Sequence, residues 1–133
     1  MDWIDSIGQS EFLRKLFPAA PILRGVRLHE LTFHQDGPRV LIRFDLNDFP
    51  CEPPSKWIQA RANRVQVRLL AVGVRELELR GWSSNNIVDF DFSPHSKGIL
   101  LTAQGRELYM RAAVDHLTAD GISAYQDIGV SNL

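Results

Sequence analysis

Four aspartates are the side chains in this 133-residue chain whose spacing best fits a chemical or binding role. Asp89 and Asp91 stand two apart in the run IVDFDF, and Asp45 and Asp48 stand near the end of an earlier alternating run. Residues i and i+2 of a strand share a face, so the sequence predicts an outward carboxylate pair. Such a pair can serve acid–base chemistry, bind a cation or dock a basic partner. No pocket that would perturb these groups is evident, which favours a solvated strand face over an active site.

The histidines and the single cysteine give little support to a metal or nucleophilic site. Four histidines match no metal-ligand spacing: His29, His34, His95 and His116. The first two, five residues apart on one strand, would face opposite sides. Cys51 lies in a proline-rich loop without the glycine elbow or helix start that activates a thiol. Glycine motifs for phosphate binding are also missing, so we expect no catalytic residue, metal or cofactor.

Two tryptophans have two interpretations. Trp57 and Trp82 fit an apolar core, which is the commoner place for this residue. However, Trp82 is followed by the polar residues Ser83–Asn86, and an aromatic beside flexible polar residues is typical of a protein-binding loop. The candidate partner interface therefore consists of Asp45, Asp48, Trp82, Asp89 and Asp91.

The elements that must position these residues are mostly β-strands. Val65–Trp82 alternates apolar and polar residues on both sides of Gly73, which predicts two central strands of an antiparallel sheet. Arg24–His34 alternates with a slip near His29–Glu30 that indicates a β-bulge. The sequence QDGP then predicts a tight turn into the cleanly alternating strand Arg39–Asn47, in which Asp45 points outward.

The second half of the chain is predicted less uniquely. Ile87–Phe92 and Ile99–Ala103 read as strands. Arg106–Leu117 fits a helix by propensity and a strand by alternation; we favour a strand that forms a hairpin with Ile122–Gln126. Lys56–Ala60 fits either a short turn or an edge strand.

The N-terminal part is predicted to be helical. Ser10 precedes the amphipathic run EFLRKLF, which Pro18 ends, and it is placed to cap the helix. We expect a helical segment over about 3–17, a β meander over about 24–126 and a frayed tail at 127–133. The fold class is mostly β (α+β): one domain over 1–133 with an antiparallel β-sandwich or strongly curved sheet.

Composition narrows the function classes. The net charge is −1, with 12 Lys/Arg and 10 Asp/Glu in residues 1–82 and 3 and 6 in residues 83–133. A near-neutral chain lacks the basic stripe of a generic nucleic-acid or membrane-surface binder. The N-terminus is acidic and no later stretch is long and apolar enough for a membrane span, so we expect a cytoplasmic protein.

Motifs along the chain resemble a known family. They are WIDSIGQSEFL, PILRGVRLHEL, DGPRVLIRFDLNDFP, PPSKW and VRELELRGW followed by NNIVDF. Over residues 1 to about 126 the chain resembles the bacterial family of immunity protein fifty. The resemblance implies a small cytosolic antidote of a polymorphic toxin system, which binds the toxic domain of a secreted toxin and has no catalytic or metal residue of its own.

The expected function is therefore neutralisation of a cognate toxin by stoichiometric protein binding, not catalysis. A toxin with nuclease activity has a basic cleft, for which the aspartates would be natural contacts, with Trp82 as an anchor. Two alternatives remain from the residues alone: a small-ligand-binding β domain, and a small metal-dependent hydrolase built on the histidines.

Overall fold

Seven β-strands form one sheet in the computed structural model, which describes residues 2–129. A 3₁₀ helix covers Trp3–Ser6, and the further elements are β1 (Ile7–Gly8), α1 (Glu11–Leu16), β2 (Val26–His34), β3 (Arg39–Asp45), α2 (Ser55–Gln59), β4 (Arg64–Arg80), β5 (Asn86–His95), β6 (Gly98–Gly105) and β7 (Tyr109–Tyr125). The mostly β class with an N-terminal helical segment is confirmed.

The sheet closes on itself because its two longest strands, β4 and β7, pair with each other and each also pairs with a further strand. β4 pairs along its length with β7, while its first half also pairs with β3 and the first half of β7 pairs with β6. β2 joins β3 to β5, which pairs with β6. The pairings form a ring of six antiparallel strands, to which β1 adds in parallel beside β7. Of the two predicted geometries, the structure has the strongly curved sheet.

The inner side of the ring holds the core. Apolar residues that alternate along the strands are buried there, and the rings of Phe44 and Phe90 lie 4.9 Å apart between centroids. Ile4, Leu13 and Leu16 of the N-terminal helices belong to the same core, so the helices cover it as predicted. The side chain of Ser10 makes no capping hydrogen bond, however, and that part of the prediction was wrong.

Two predicted chain reversals are wrong, because both strands continue through a glycine. β4 passes Gly73 at φ 73° and β7 passes Gly121 at φ 150°. Each glycine lies beside a register shift of the β4–β7 pair, at Val74/Glu76 and at Arg68/Leu69. A glycine at positive φ can bend and twist a strand at a bulge as well as end it in a turn. The strand preferred for Arg106–Leu117 is thus present, but its hairpin is not.

The tight β2–β3 turn is confirmed, and so is the bulge in β2, which falls between Leu28 and Glu30. The segment beginning at Lys56 belongs to α2 and is no edge strand. Of the expected tail, 130–133 lie outside the described residues, whereas Asp127 exchanges backbone hydrogen bonds with the side chain of Asn63. No helix within residues 2–129 is long and apolar enough to cross a membrane.

Gly73 provides a test of the continuous β4. Gly73→Ala should lower the free energy of unfolding by about 1–3 kcal/mol, because an L-residue is strained at positive φ. An added Cβ would also lie 2.2 Å from the carboxylate of Asp115, which pairs with Arg75 at 2.7 Å. Urea unfolding measures the change. Gly8→Ala is the control, since its Cβ would find its nearest neighbour at 3.4 Å; equal losses in the two variants would contradict the explanation.

Candidate functional site

The structure distributes the five predicted contact residues over three places. Asp48 is exposed in the loop after β3, beside a groove of about 520 Å³ that also contains Phe49. Trp82, Asp89 and Asp91 are exposed on and next to β5. Asp45 is only 2% exposed, so the prediction that it points into solvent was wrong. The three places have different neighbours.

Asp45 is buried under side chains from three other strands. One carboxylate oxygen accepts hydrogen bonds from the hydroxyl of Tyr125 and from Nε2 of His29, the latter at 2.9 Å. The other accepts from Nε2 of Gln66 at 3.1 Å. β2, β4 and β7 supply these donors, since Asp45 lies opposite Arg27 and Gln66 in the sheet register. The carboxylate is thus buried with its hydrogen-bonding capacity satisfied.

The polar network continues across the outer face of the sheet. Arg43 donates from Nη1 to Oε1 of Gln66 at 3.3 Å and from Nε to Oε1 of Glu30 at 2.8 Å. Glu30 in turn accepts the hydroxyl of Thr32 at 2.5 Å. Hydrogen bonds from Thr32 and Arg43 lower the pKa of Glu30. Side chains of four strands are therefore joined in one hydrogen-bonded chain.

The network fixes protonation states around Asp45. Burial by itself would raise the pKa of Asp45, but hydrogen bonds from Tyr125, His29 and Gln66 outweigh it and hold the pKa below its ordinary value. Desolvation and the bond to Asp45 raise the pKa of Tyr125 to about 12. At neutral pH the pair is thus a carboxylate that accepts from a neutral phenol.

Asp45 orients the imidazole of His29, as a carboxylate does for a catalytic base. A nucleophile must also lie within hydrogen-bonding distance of that base, and no serine or cysteine of residues 2–129 donates to His29. Nor does the described part of the chain hold a group of three His, Cys, Asp or Glu side chains able to bind a metal ion. The observed role of the His29–Asp45 contact is to fix one side chain against the sheet.

The loop before β5 is held rigidly and exposes a large aromatic side chain. Asn86 is 6% exposed; its Oδ1 accepts from the backbone N–H of Ser83 at 3.0 Å, and its Nδ2 donates to the carbonyl of Ser83 at 2.8 Å. Gly81, at φ 80°, packs so closely on Glu107 that a Cβ would lie 2.0 Å from its carbonyl oxygen. Trp82 is nevertheless 46% exposed. Of the two interpretations of Trp82, the structure fits the exposed loop and not the core, whereas Trp57 packs against the core as predicted.

Two grooves flank this loop. One, of about 380 Å³, is lined by the loop together with Arg27, His29 and Trp82. The other, of about 410 Å³, is lined by the loop together with Ile87 and Arg106. We call these side chains and residues 83–86 the Trp82 surface. Arg27 and Ile87 are neighbours across the β2–β5 pair, so the two grooves belong to one continuous region.

The acidic pair on β5 extends this region. Ile87, Asp89 and Asp91 are exposed at alternate positions and form one outward row. Both carboxylates already have partners: Asp89 accepts the backbone N–H of Gly25 at 2.8 Å, and Asp91 pairs with Arg24 at 2.9 Å. The structure therefore brings three of the five predicted residues to one side of the molecule.

Sequence reasoning missed the residues that hold the Asp45 network and the Trp82 loop in position. The slip in the β2 alternation pointed to the bulge, but not to His29 as a partner of Asp45. Tyr125 and Gln66 gave no signal, because their meeting depends on pairing between distant strands. Asn86 was included in the loop, although its buried amide is what fixes the loop.

The fold and these surfaces describe a small β protein with an exposed loop between two grooves and no assembled nucleophile–base pair among its described residues. The family model of Immunity protein 50 matches residues 9–125. The chain therefore belongs to the Immunity protein 50 family, as the resemblance predicted. Comparisons with curated proteins and with solved structures give no match. Membership suggests a role in toxin immunity, and immunity proteins are generally not enzymes.

Removal of one donor tests the network. Tyr125→Phe should lower the free energy of unfolding at pH 7 by about 1–3 kcal/mol, because Asp45 stays buried with a hydrogen bond missing. Tyr109→Phe is the matched control: the hydroxyl of Tyr109 makes no hydrogen bond with residues 2–129, and the ring, which contacts Arg80, is kept. Urea denaturation at pH 7 compares the two. A loss no larger than that of the control would show that the phenol contributes nothing.

The raised pKa of Tyr125 gives a second, pH-dependent test. The pKa of the folded state, about 12, lies above the ordinary value of 10.0, so the folded state favours the protonated phenol. Its contribution is complete below the ordinary pKa and is lost as the pH rises towards the folded value. Urea unfolding at increasing pH from pH 8 should show that the free energy of unfolding of the wild-type protein declines. The decline should be shallower in Tyr125→Phe. Parallel declines in both proteins would rule this out.

Proposed function

We propose that this protein neutralises a cognate bacterial polymorphic toxin by binding its toxic domain stoichiometrically in the cytoplasm. The observation that carries the proposal is the family match over residues 9–125. Binding would either block the catalytic cleft of the toxin or hold the toxin in an inactive shape.

The architecture supports inhibition by a preformed surface. A ring of paired strands and a loop fixed by Asn86 leave few groups to order on binding. Prior order reduces the entropic cost of association, which favours a tight complex. Interfaces of this kind change little in backbone shape when partners meet.

We propose that Trp82, Asp89 and Asp91 contact the toxin, because they lie on one exposed side. An exposed tryptophan has the size and shape of an interface anchor. The two carboxylates would complement a basic cleft and speed association. Asp48 faces a separate groove and would contribute at the periphery, whereas buried Asp45 would act indirectly by fixing His29.

Binding to the toxin domain encoded beside this gene tests the function. The domain is produced with its catalytic residue replaced, and its complex with this protein is measured by calorimetry. We expect a 1:1 complex, a loss of about 2 kcal/mol or more for Trp82→Ala, and slower association for the double variant Asp89→Lys/Asp91→Lys. Asp36→Lys, in the exposed β2–β3 turn, is the charge control.

Protection is measured separately by co-producing the active toxin domain in a susceptible host. Growth should be restored by the wild-type protein and not by a variant that has lost binding. No complex and no protection would overturn the proposed function. Binding that survives both substitutions unchanged would instead remove those residues from the interface and leave the function in place.

A further inference from the structure

We infer that the Trp82 surface receives an acidic segment of the partner protein, with Arg27 and Arg106 binding carboxylates on either side of the Trp82 loop. The inference rests on the proposed function and adds to it the chemistry of the partner. The toxin segment at this loop would be acidic, whereas the part of the toxin that faces Asp89 and Asp91 would be basic.

Most arginines of the described chain are already paired. Eight of the twelve arginines form ion pairs: Arg14, Arg24, Arg43, Arg64, Arg68, Arg75, Arg80 and Arg111. Arg39 donates to the backbone carbonyl of Asp36. Within residues 2–129 this leaves the guanidinium groups of Arg27, Arg61 and Arg106 without a hydrogen-bonded or ionic partner, and two of these three line the grooves beside one loop.

The charge balance of the grooves themselves is positive. Their lining contains two arginines, Arg27 and Arg106, and one carboxylate, Glu107, which follows Arg106 in the chain. The nearby carboxylates of Asp89 and Asp91 are bound to Gly25 and Arg24. A guanidinium presents parallel N–H donors that match a carboxylate, so both arginines are equipped for acidic side chains. A basic segment would place like charges against them.

The shape of this region fits an extended segment. Ser83, Asn85 and Asn86 line both grooves, of about 380 and 410 Å³, and Trp82, which lines the first, is exposed. A segment that crosses the loop would bring apolar atoms onto Trp82 and Ile87, both of which are exposed. Its carboxylates would then reach one arginine in each groove. Because Asn86 already holds the loop, this arrangement requires no ordering of the receptor.

The composition of the Trp82 surface favours a protein over a nucleic acid as the partner. A nucleic-acid footprint needs a stripe of several cations, and this surface offers two arginines in a chain of net charge −1. An exposed tryptophan between two arginines has instead the composition of a protein interface centre.

Charge reversal tests the inference on the full-length protein. The probe is the inactivated toxin domain encoded beside this gene, and calorimetry measures the affinity of the double variant Arg27→Glu/Arg106→Glu. We expect a loss of roughly 100-fold, because like charges would then meet across the interface. Lys97→Glu makes the same kind of charge change in the β5–β6 turn and should alter affinity by less than about 2-fold. Circular dichroism confirms that each variant is folded.

A substitution of opposite sign makes the test specific. Glu107→Lys removes the carboxylate from the second groove and should strengthen binding, most clearly at low salt. Reversal of the toxin carboxylate that faces Arg27 should restore affinity to the double variant. Both results require a carboxylate on the toxin side and would not follow from a general loss of stability.

The possible failures are distinguishable. If the wild-type protein forms no complex with the probe, the proposed function fails and this inference fails with it. If the wild type binds and the double reversal leaves affinity unchanged or increases it, only the inference is overturned. In that case the segment facing the loop is neutral or basic, or the toxin binds elsewhere.

Discussion

The antiparallel pairing of β4 with β7 is the constraint on which the rest of the structure depends. It runs from Arg64 opposite Tyr125 to Arg80 opposite Tyr109, and two register shifts bend it along the way. β3 joins one half of this ribbon and β6 the other, so the bend directs the remaining strands towards each other. The ring can close because a single ribbon takes part in both halves.

The same ribbon places both candidate sites. At one end, Tyr125 reaches across to Asp45 and completes the burial of its carboxylate. At the other end, β4 leads into the loop of Trp82, and the turn that opens β7 supplies Arg106 and the backbone of Glu107 against which Gly81 packs. A shift of the pairing by one residue would turn Tyr125 to the other face, so the register determines both sites.

The alternation of apolar residues predicted most strands, and turn and bulge signals predicted the β2–β3 pair, because these depend on neighbours in sequence. Chain reversals were wrongly predicted at Gly73 and Gly121, because a glycine at positive φ occurs both in turns and in bulges. The burial of Asp45 was beyond prediction, because its cover comes from His29, Gln66 and Tyr125 on three other strands. Trp82 was recognised as a loop candidate from local composition, whereas the isolation of Arg27 and Arg106 appears only once every other charge is placed.

The closed ring still leaves stretches of strand with a neighbour on one side only. One of them, in the described part of the chain, is residues 75–80, which have β7 as their single strand neighbour, since the β3 partner ends opposite Val72 and Val74 donates its backbone N–H to the carbonyl of Pro38. Such an edge is a template on which a second chain can add a strand. Here it carries Arg75, Glu76, Glu78 and Arg80, all exposed, so an approaching copy would meet charges of both signs at close range. Charged side chains are one of the devices that protect a sheet edge, so these residues would disfavour the addition of a strand from a second copy.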